Sequence, residues 1–251
     1  MKSCKILNCR FHSLTLDQTV VEIFELIARG DRGWLCTVNV AVLMMARVDA
    51  RLQAFLDRAA ITVADGQPLV WVSRFRSEQL PERVAGIELV EEICARATKD
   101  RLPVYLLGAD RKIVESLAVR LRRDHAGLDL IGVEDGYFGA DEAPERAKKI
   151  ADSGAKILIV AMGVPRQEHF IEEQWDNLGV SFAIGVGGSF DVLSGHRMRA
   201  PQWIQRIGME WAYRLMQEPR RLFKRYVVTN TKFLYLIGIG FLFSRIHRTS
   251  E

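Results

Sequence analysis

A lone carboxylate, Asp65, lies in the otherwise apolar stretch ITVADGQPLVW at residues 61–71. Gly66 follows it directly and a Gln-Pro pair comes next, and these residue types also build an ordinary turn. A carboxylate held at the end of a strand could instead accept the proton of an attacking hydroxyl group. The stretch by itself favours the turn, and the general base is the alternative that the rest of the sequence has to support.

Six strand-like runs alternate with helical patterns along the chain. The runs are apolar, are bounded by turn residues, and cover residues 34–38, 61–64, 103–108, 128–134, 156–163 and 180–188. Amphipathic patterns separate them at residues 39–59, 86–100, 110–125, 143–154 and 165–179. Continuous apolar strands between such helices predict a mainly parallel sheet with helices on both faces. The expected fold class is therefore α/β with a Rossmann-like core, preceded by a short strand and the start of a helix.

Polar residues and glycines follow these predicted strands, where a parallel sheet binds its ligands. They are Asn39, Asp65, residues 108–110, residues 163–167, and Gly187 with Gly188. A glycine in this place commonly meets only the steric need of a tight turn, but three such turns at one edge could form a cradle for a phosphate. No GxGxxG motif connects a strand to a helix, so the fingerprint of a dinucleotide-binding site is absent. The glycine turns favour a nucleotide as the ligand but do not identify which nucleotide.

Six ordered blocks resemble the WecG/TagA/CpsF glycosyltransferase family. They are TVNVAVLMMAR (37–47), ITVADGQPLVW (61–71), ERVAGIELVEEI (82–93), VYLLGA (104–109), MGVPRQEHFI (162–171) and GVGGSFDVLSGHRMRAP (185–201). Members of that family move a sugar from a nucleotide diphosphate to a sugar that is linked through diphosphate to a polyprenyl lipid. The resemblance implies a transfer by one inverting displacement, without a tightly bound metal and without a cofactor. It extends from about residue 15 to the C-terminus.

The resemblance also implies roles for single residues. It makes Asp65 the general base. Thr37 and Asn39 could orient sugar hydroxyl groups, although Asn39 would serve equally well as the N-cap of the following helix. Arg83 could pair with phosphate, for which the alternative is a solvated surface charge.

Further substrate-binding candidates come from the glycine turns and from the MGVPRQEHF block. Pro165 should lie in the first turn of a helix that Arg166, Gln167 and His169 begin, where a diphosphate or a uracil edge would fit. The alternative for His169 is a helix-surface residue, which is the commoner position of a histidine. The remaining candidates are Gly108, Gly163, Gly187, Gly188 and Asp191. A DxD-like carboxylate pair is missing from the blocks, so we expect no metal site, and the leaving nucleotide should be stabilised by arginines and helix N-termini.

The charge of the chain is uneven. Residues 1–195 carry 24 basic and 28 acidic side chains, whereas residues 196–251 carry 11 and 3. We therefore expect a core at 1–195 and a C-terminal appendage at 196–251 that docks on an anionic membrane surface. Its segment 233–243 is uncharged but shorter than the roughly 20 residues of a spanning helix, and a terminal helix packed on the core is the alternative.

Within this appendage, a basic cluster precedes the uncharged segment and comprises Arg214, Arg220, Arg221, Lys224 and Arg225. By the family resemblance, Arg214, Arg221 and Lys224 could also reach a lipid-linked diphosphate. The aromatic side chains lie in an aliphatic context, so nucleic acid is the less favoured partner. The four cysteines show no metal or disulfide spacing and the N-terminus shows no signal peptide, which favours a cytoplasmic protein bound peripherally to the inner face of the plasma membrane.

The leading hypothesis is a glycosyltransferase that takes N-acetylmannosamine, its uronic acid or glucose from a UDP-sugar. The acceptor would be a polyprenyl-diphosphate-linked sugar in surface polysaccharide biosynthesis. A nucleotide-cofactor oxidoreductase and a non-enzymatic membrane adaptor are the alternatives, and a homo-oligomer is left open.

Overall fold

The computed structural model describes the backbone of residues 1–248, and the side chains of these residues except 206, 221, 222, 224–226 and 240–248. The strands are β1 Ser3–Ile6, β2 Cys9–His12, β3 Gly33–Val38, β4 Ile61–Ala64, β5 Val104–Gly108, β6 Leu130–Glu134, β7 Ile157–Ala161 and β8 Phe182–Gly185. The helices of the core are α1 Leu16–Ala28, α2 Val40–Ala46, α3 Ala50–Asp57, α4 Gln67–Ser73, α5 Gly86–Asp100, α6 Arg111–Asp124, α7 Ala143–Ser153, α8 Arg166–Gln174 and α9 Ser189–Leu193. The C-terminal helices are α10 Gln202–Arg206, α11 Glu210–Gln217 and α12 Pro219–Arg248.

Six strands form one parallel sheet in the order β4-β3-β8-β7-β5-β6, and β1 and β2 form a separate antiparallel hairpin. Every neighbouring pair of the large sheet is parallel. The central strand β7 is apolar and buried along its whole length, as expected of a strand that is covered on both faces. The expectation of an α/β, Rossmann-like core is confirmed.

The two faces of the sheet are covered by different helices. The first face, which we call the hairpin face, packs against the β1–β2 hairpin and helices α2, α3, α4, α7 and α8. The opposite face packs against α1, α5, α6 and α9. The crossovers β3–β4, β6–β7 and β7–β8 run towards the β4 edge and use the hairpin face. The crossovers β4–β5 and β5–β6 run towards the β6 edge and return through α5 and α6 on the opposite face, although the first of them also includes α4 on the hairpin face. This division is what a single crossover hand requires.

Local sequence signals explain most of the boundaries. β4 and α5 begin and end where the pattern predicts, but the predicted helix at 39–59 is two helices, because Asp49 accepts a hydrogen bond from the Leu52 amide and caps α3. The apolar run that follows Asp65 begins the short helix α4 with Pro68 in its first turn. The predicted N-terminal strand is a hairpin.

Gly108, a predicted substrate-binding residue, has a steric role at the end of β5. Its φ is +133°, and a Cβ built there would lie 2.5 Å from the carbonyl carbon of Ala161 on β7. A larger residue would therefore push the loops after β5 and β7 apart.

The C-terminal helix α12 packs on α2. Phe233 and Ile237 are buried with the side chains of the hairpin face, as the alternative of a packed terminal helix predicts. Leu234 and Tyr235, by contrast, are each 68% exposed. Among residues 1–248, the helices include none that is long and apolar enough to cross a membrane.

Candidate active site

Two adjoining clefts open at the carboxyl ends of the parallel strands. The large cleft has a volume of about 1300 Å³ and the small cleft a volume of about 670 Å³, and both values include space that is open to solvent. Asn39, Ala41, Asp65 and Arg214 line both of them. Asp65 follows β4 directly, and its backbone amide donates to the Val38 carbonyl at 2.9 Å, which holds the loop against the end of β3. The carboxylate therefore lies where the two clefts meet.

The large cleft lies over the ends of β3, β5, β7 and β8. The chain leaves β5 towards one edge of the sheet and leaves β7 towards the other, and parallel sheets bind their ligands at such a switch point. Of the predicted site residues, it is lined by Thr37, Asn39, Asp65, Gly163, Gln167, Gly187, Gly188, Asp191 and Arg214.

The small cleft lies between the loops after β3 and β4 and the C-terminal helices. The core contributes Gly66, Gln67, Pro68 and Arg83 among others, and the C-terminal region contributes Gly208, Glu210, Trp211, Arg214 and Asn230. Both parts of the chain therefore form this cleft.

The environment of Asp65 is suited to a base that works near neutral pH. Burial raises the pKa of Asp65 to about 7, although the nearby Arg83 and Arg214 act in the opposite direction. Glu210 and Glu88 add to the rise. Within the described part of the chain, its carboxylate oxygens have no hydrogen-bond donor, so they are free to accept the proton of a bound hydroxyl group.

Arg83 is held in an ion-pair network beside Asp65. It pairs with Glu210 of α11 and, at 3.3 Å, with Glu88 of α5. Arg214 contacts Glu210 at 3.3 Å, and Arg199 contacts Glu88. Burial would raise the pKa of Glu210, but Arg214 and Arg83 outweigh it and hold that pKa below its usual value. Arg83 is thus a partly buried, paired cation and not the solvated charge of the alternative.

Thr37 and Asn39 both reach the clefts but use part of their hydrogen-bonding capacity on the fold. The Thr37 hydroxyl donates to the Gly185 carbonyl at 3.1 Å, which joins β3 to β8. Asn39 Oδ1 accepts from the Val42 amide at 3.1 Å and caps α2, as its alternative interpretation predicts. The cap uses the oxygen, so the Asn39 amide nitrogen can still donate to a ligand.

Gln167 joins two glycine loops. Its Oε1 accepts from the Gly163 amide at 3.2 Å and from the Gly187 amide at 3.0 Å, and the side chain is buried. Gly163 and Gly187 have φ values of +79° and +53°, which glycine adopts without strain. Gln167 therefore shapes the wall of the large cleft from within.

The structure does not bring Arg166 or Gly108 into the lining of either cleft. The Arg166 guanidinium donates to the Phe138 carbonyl at 2.5 Å and lies 5.3 Å from the centre of its ring, because the first turn of α8 directs this side chain towards the loop after β6. His169 is partly buried, and its Nε2 is a buried atom that makes no hydrogen bond to a described residue.

Arg221 and Lys224 lie in α12, and their side chains fall outside the described residues. Their predicted contact with a diphosphate stays a prediction. In residues 1–248, the described side chains include no group of three or more His, Cys, Asp or Glu residues that could hold a metal ion.

Sequence reasoning missed Glu210, Trp211 and Arg197. Arg197 pairs with Glu218 at 2.9 Å and with Asp191 at 3.6 Å on the wall of the large cleft. A signal for Glu210 does exist, because it is one of three acidic residues in a C-terminal region with eleven basic ones.

One family model matches residues 4–248 and carries the description Glycosyl transferase WecG/TagA/CpsF family. The match covers the strand ends that form the clefts and all three C-terminal helices. A glycosyltransferase needs a nucleotide-sugar donor and a sugar acceptor, so the oxidoreductase and the membrane adaptor are not supported as alternatives. From the extent of this match, the chain belongs to the WecG/TagA/CpsF family of glycosyltransferases, which act in polysaccharide biosynthesis.

Proposed function

We propose that this enzyme transfers a hexose-type sugar from a UDP-sugar to a polyprenyl-diphosphate-linked sugar. N-acetylmannosamine, its uronic acid and glucose are the candidate sugars, and the product would be an intermediate of a surface polysaccharide. The observation that carries the proposal is the position of Asp65, which lines both clefts. Two substrates held one in each cleft would meet at this carboxylate.

The donor nucleotide fits the large cleft. Its wall has the two glycine loops with Gly163 and Gly187, and it contains the guanidinium groups of Arg197 and Arg214, which pair with Glu218 and Glu210. Positive charge near the donor diphosphate would stabilise it as it leaves, without a metal ion. The acceptor sugar would then occupy the small cleft, between Arg83 and Trp211.

The reaction would be one displacement at the anomeric carbon of the donor sugar. The acceptor hydroxyl oxygen forms the new bond to that carbon while the bond from carbon to the UDP oxygen breaks on the opposite side. Asp65 accepts the hydroxyl proton, and UDP leaves with the bonding electron pair. Attack opposite the leaving group inverts the configuration at the anomeric carbon.

The C-terminal region would hold the enzyme at a membrane surface, with the clefts open to the cytoplasm. Exposed apolar side chains of α12 support this part of the proposal, namely Phe223, Val227, Val228, Leu234 and Tyr235. The same region has eleven basic and three acidic residues, and this excess of positive charge would attract anionic lipids of the inner leaflet.

A thermal-shift and transfer assay with a panel of nucleotide sugars tests the donor assignment. UDP-N-acetylmannosamine, its uronic acid and UDP-glucose are compared with the GDP- and ADP-linked sugars and with a nicotinamide dinucleotide. A ligand that binds the folded state raises Tm as its concentration exceeds Kd, so we expect a rise with UDP compounds and transfer from one of them. Stabilisation by the other nucleotides alone would contradict the proposal.

A further inference from the structure

Glu168 is a buried acid beside the large cleft that the proposed displacement does not use. It lies in the first turn of α8, is 6% exposed, and follows Gln167, which is 2% exposed. Burial raises the pKa of Glu168 to about 7. Burying a carboxyl group costs free energy unless hydrogen bonds compensate for the lost hydration, so its contacts are of interest.

The contacts of Glu168 form a short chain of hydrogen bonds that ends at the cleft wall. Its Oε1 accepts from Gln167 Nε2 at 2.8 Å, and Gln167 Oε1 in turn accepts from the Gly163 and Gly187 amides at 3.2 and 3.0 Å. One amide side chain therefore connects the acid to the loop after β7 and to the loop after β8.

The orientation of Gln167 is fixed by its partners. The backbone N–H groups of Gly163 and Gly187 can only donate, so the side-chain oxygen of Gln167 has to face them. The side-chain nitrogen of Gln167 then has to face an acceptor. Glu168 is the acceptor in this position. Gly185 makes room for the arrangement, because a Cβ there would lie 2.6 Å from Gln167 Nε2.

We propose that Glu168 is a positioning residue that acts through Gln167 to hold the two glycine loops in the shape that receives the donor nucleotide. The inference rests on the proposed function, since it takes the large cleft as the nucleotide site. Without an acceptor at residue 168, the buried Gln167 nitrogen would lose its partner, and an unpaired buried donor is costly enough to move the side chain. The loops that it ties together would then sample other shapes, and the nucleotide would have to order them on binding.

The test uses the full-length protein and compares Glu168→Leu with Glu168→Gln. The leucine removes the acceptor, whereas the glutamine retains a carbonyl oxygen that can accept from Gln167. For Glu168→Leu we expect Kd for UDP and KM for the donor to rise about tenfold, as for one lost buried hydrogen bond, and kcat to fall less than about threefold. Glu168→Gln should restore both Kd and KM to within about threefold of the unsubstituted protein.

A matched control separates positioning from loss of stability. Ile171→Val shortens another buried side chain of α8, which should lower Tm while leaving Kd for UDP unchanged. The inference is overturned if Glu168→Leu behaves like this control, if kcat falls with Kd unchanged, or if Glu168→Gln is as impaired as Glu168→Leu. A wild-type protein that binds no UDP would contradict the proposed function instead, so the two failures are distinguishable.

Discussion

Arg83 and Glu210 form an ion pair that joins the loop before α5 to the first turn of α11, across 127 residues of sequence. Their side chains are 16% and 11% exposed. Glu88 and Arg214 extend the pair on either side, so the charges at the small cleft come from both the core and the C-terminal helices. The C-terminal region therefore forms part of the site as well as carrying the exposed apolar residues of α12.

Removing one partner of this pair should destabilise the protein. Glu210→Gln leaves Arg83 partly buried with a weaker partner, and breaking a buried pair in this way costs about 3 kcal/mol. We expect a clear fall in the free energy of unfolding, measured with urea, and a weaker acceptor interaction. Glu145→Gln on α7 is the control, because the Glu145 side chain is 71% exposed. Equal stability of the two variants would show that the pair contributes little.

The role of Asp65 is tested by Asp65→Asn. The substitution keeps the shape of the side chain but removes its ability to take a proton, so transfer should fall by roughly 100-fold or more while Kd for UDP stays nearly constant. Asp49→Asn makes the same chemical change at the N-cap of α3, where asparagine caps equally well, and should leave transfer unchanged. Turnover of Asp65→Asn within about threefold of the wild type would remove Asp65 from the role of base.

The pH profile should follow the ionisation of Asp65. The base works as the carboxylate, so with a pKa of about 7, kcat/KM should rise with pH and level off above that value. Arg214 lowers and Glu210 raises this pKa. The rising limb should therefore move to higher pH in Arg214→Gln and to lower pH in Glu210→Gln. Shifts in the same direction in both variants would mean that another group controls the profile.

The architecture follows from the sequence more closely than the site does. Alternating apolar strands and amphipathic helices are local signals, and they suffice for the α/β fold and for the bounds of β4 and α5. The strand order depends on where each crossover returns to the sheet, which local patterns do not determine. The resemblance of six blocks led to Asp65, Thr37, Asn39 and Arg83, all of which line a cleft.

The rest of the site depends on contacts between distant segments. Arg83 meets Glu210 because α11 and α12 fold back onto the core, and no spacing in the sequence encodes that contact. Gln167 was expected to face a ligand; it does line the large cleft, but its oxygen also accepts from the Gly163 and Gly187 amides because β7 and β8 are neighbours in the sheet. Arg166 was expected at the same place, and its side chain extends to Phe138 instead.

Transfer should persist in excess chelator. The side chains described in residues 1–248 offer no cluster of three metal-ligating residues, and Arg197 and Arg214 can supply positive charge at the large cleft. Initial rates with and without EDTA, on protein dialysed against the chelator, provide the measurement. Loss of activity that magnesium restores would contradict a metal-independent reaction.

The membrane role of α12 is best tested at single exposed positions, because removal of the helix would also expose its contacts with the core. Leu234 is 68% exposed, so Leu234→Glu should leave the fold intact. It would remove about 1.5–3 kcal/mol of apolar burial in a lipid interface and add about 1 kcal/mol of repulsion from anionic headgroups. We therefore expect at least tenfold weaker co-sedimentation with phosphatidylglycerol-containing vesicles, with Tm and UDP binding unchanged.

Val119 provides the matched control for this experiment. It is also 68% exposed but lies on α6, which covers the opposite face of the sheet, so Val119→Glu should bind vesicles like the wild type. High salt should weaken binding of the wild type, because the basic residues contribute by electrostatic attraction that salt screens. If Leu234→Glu and Val119→Glu sediment equally, the exposed surface of α12 does not contact lipid, and the helix serves the small cleft alone.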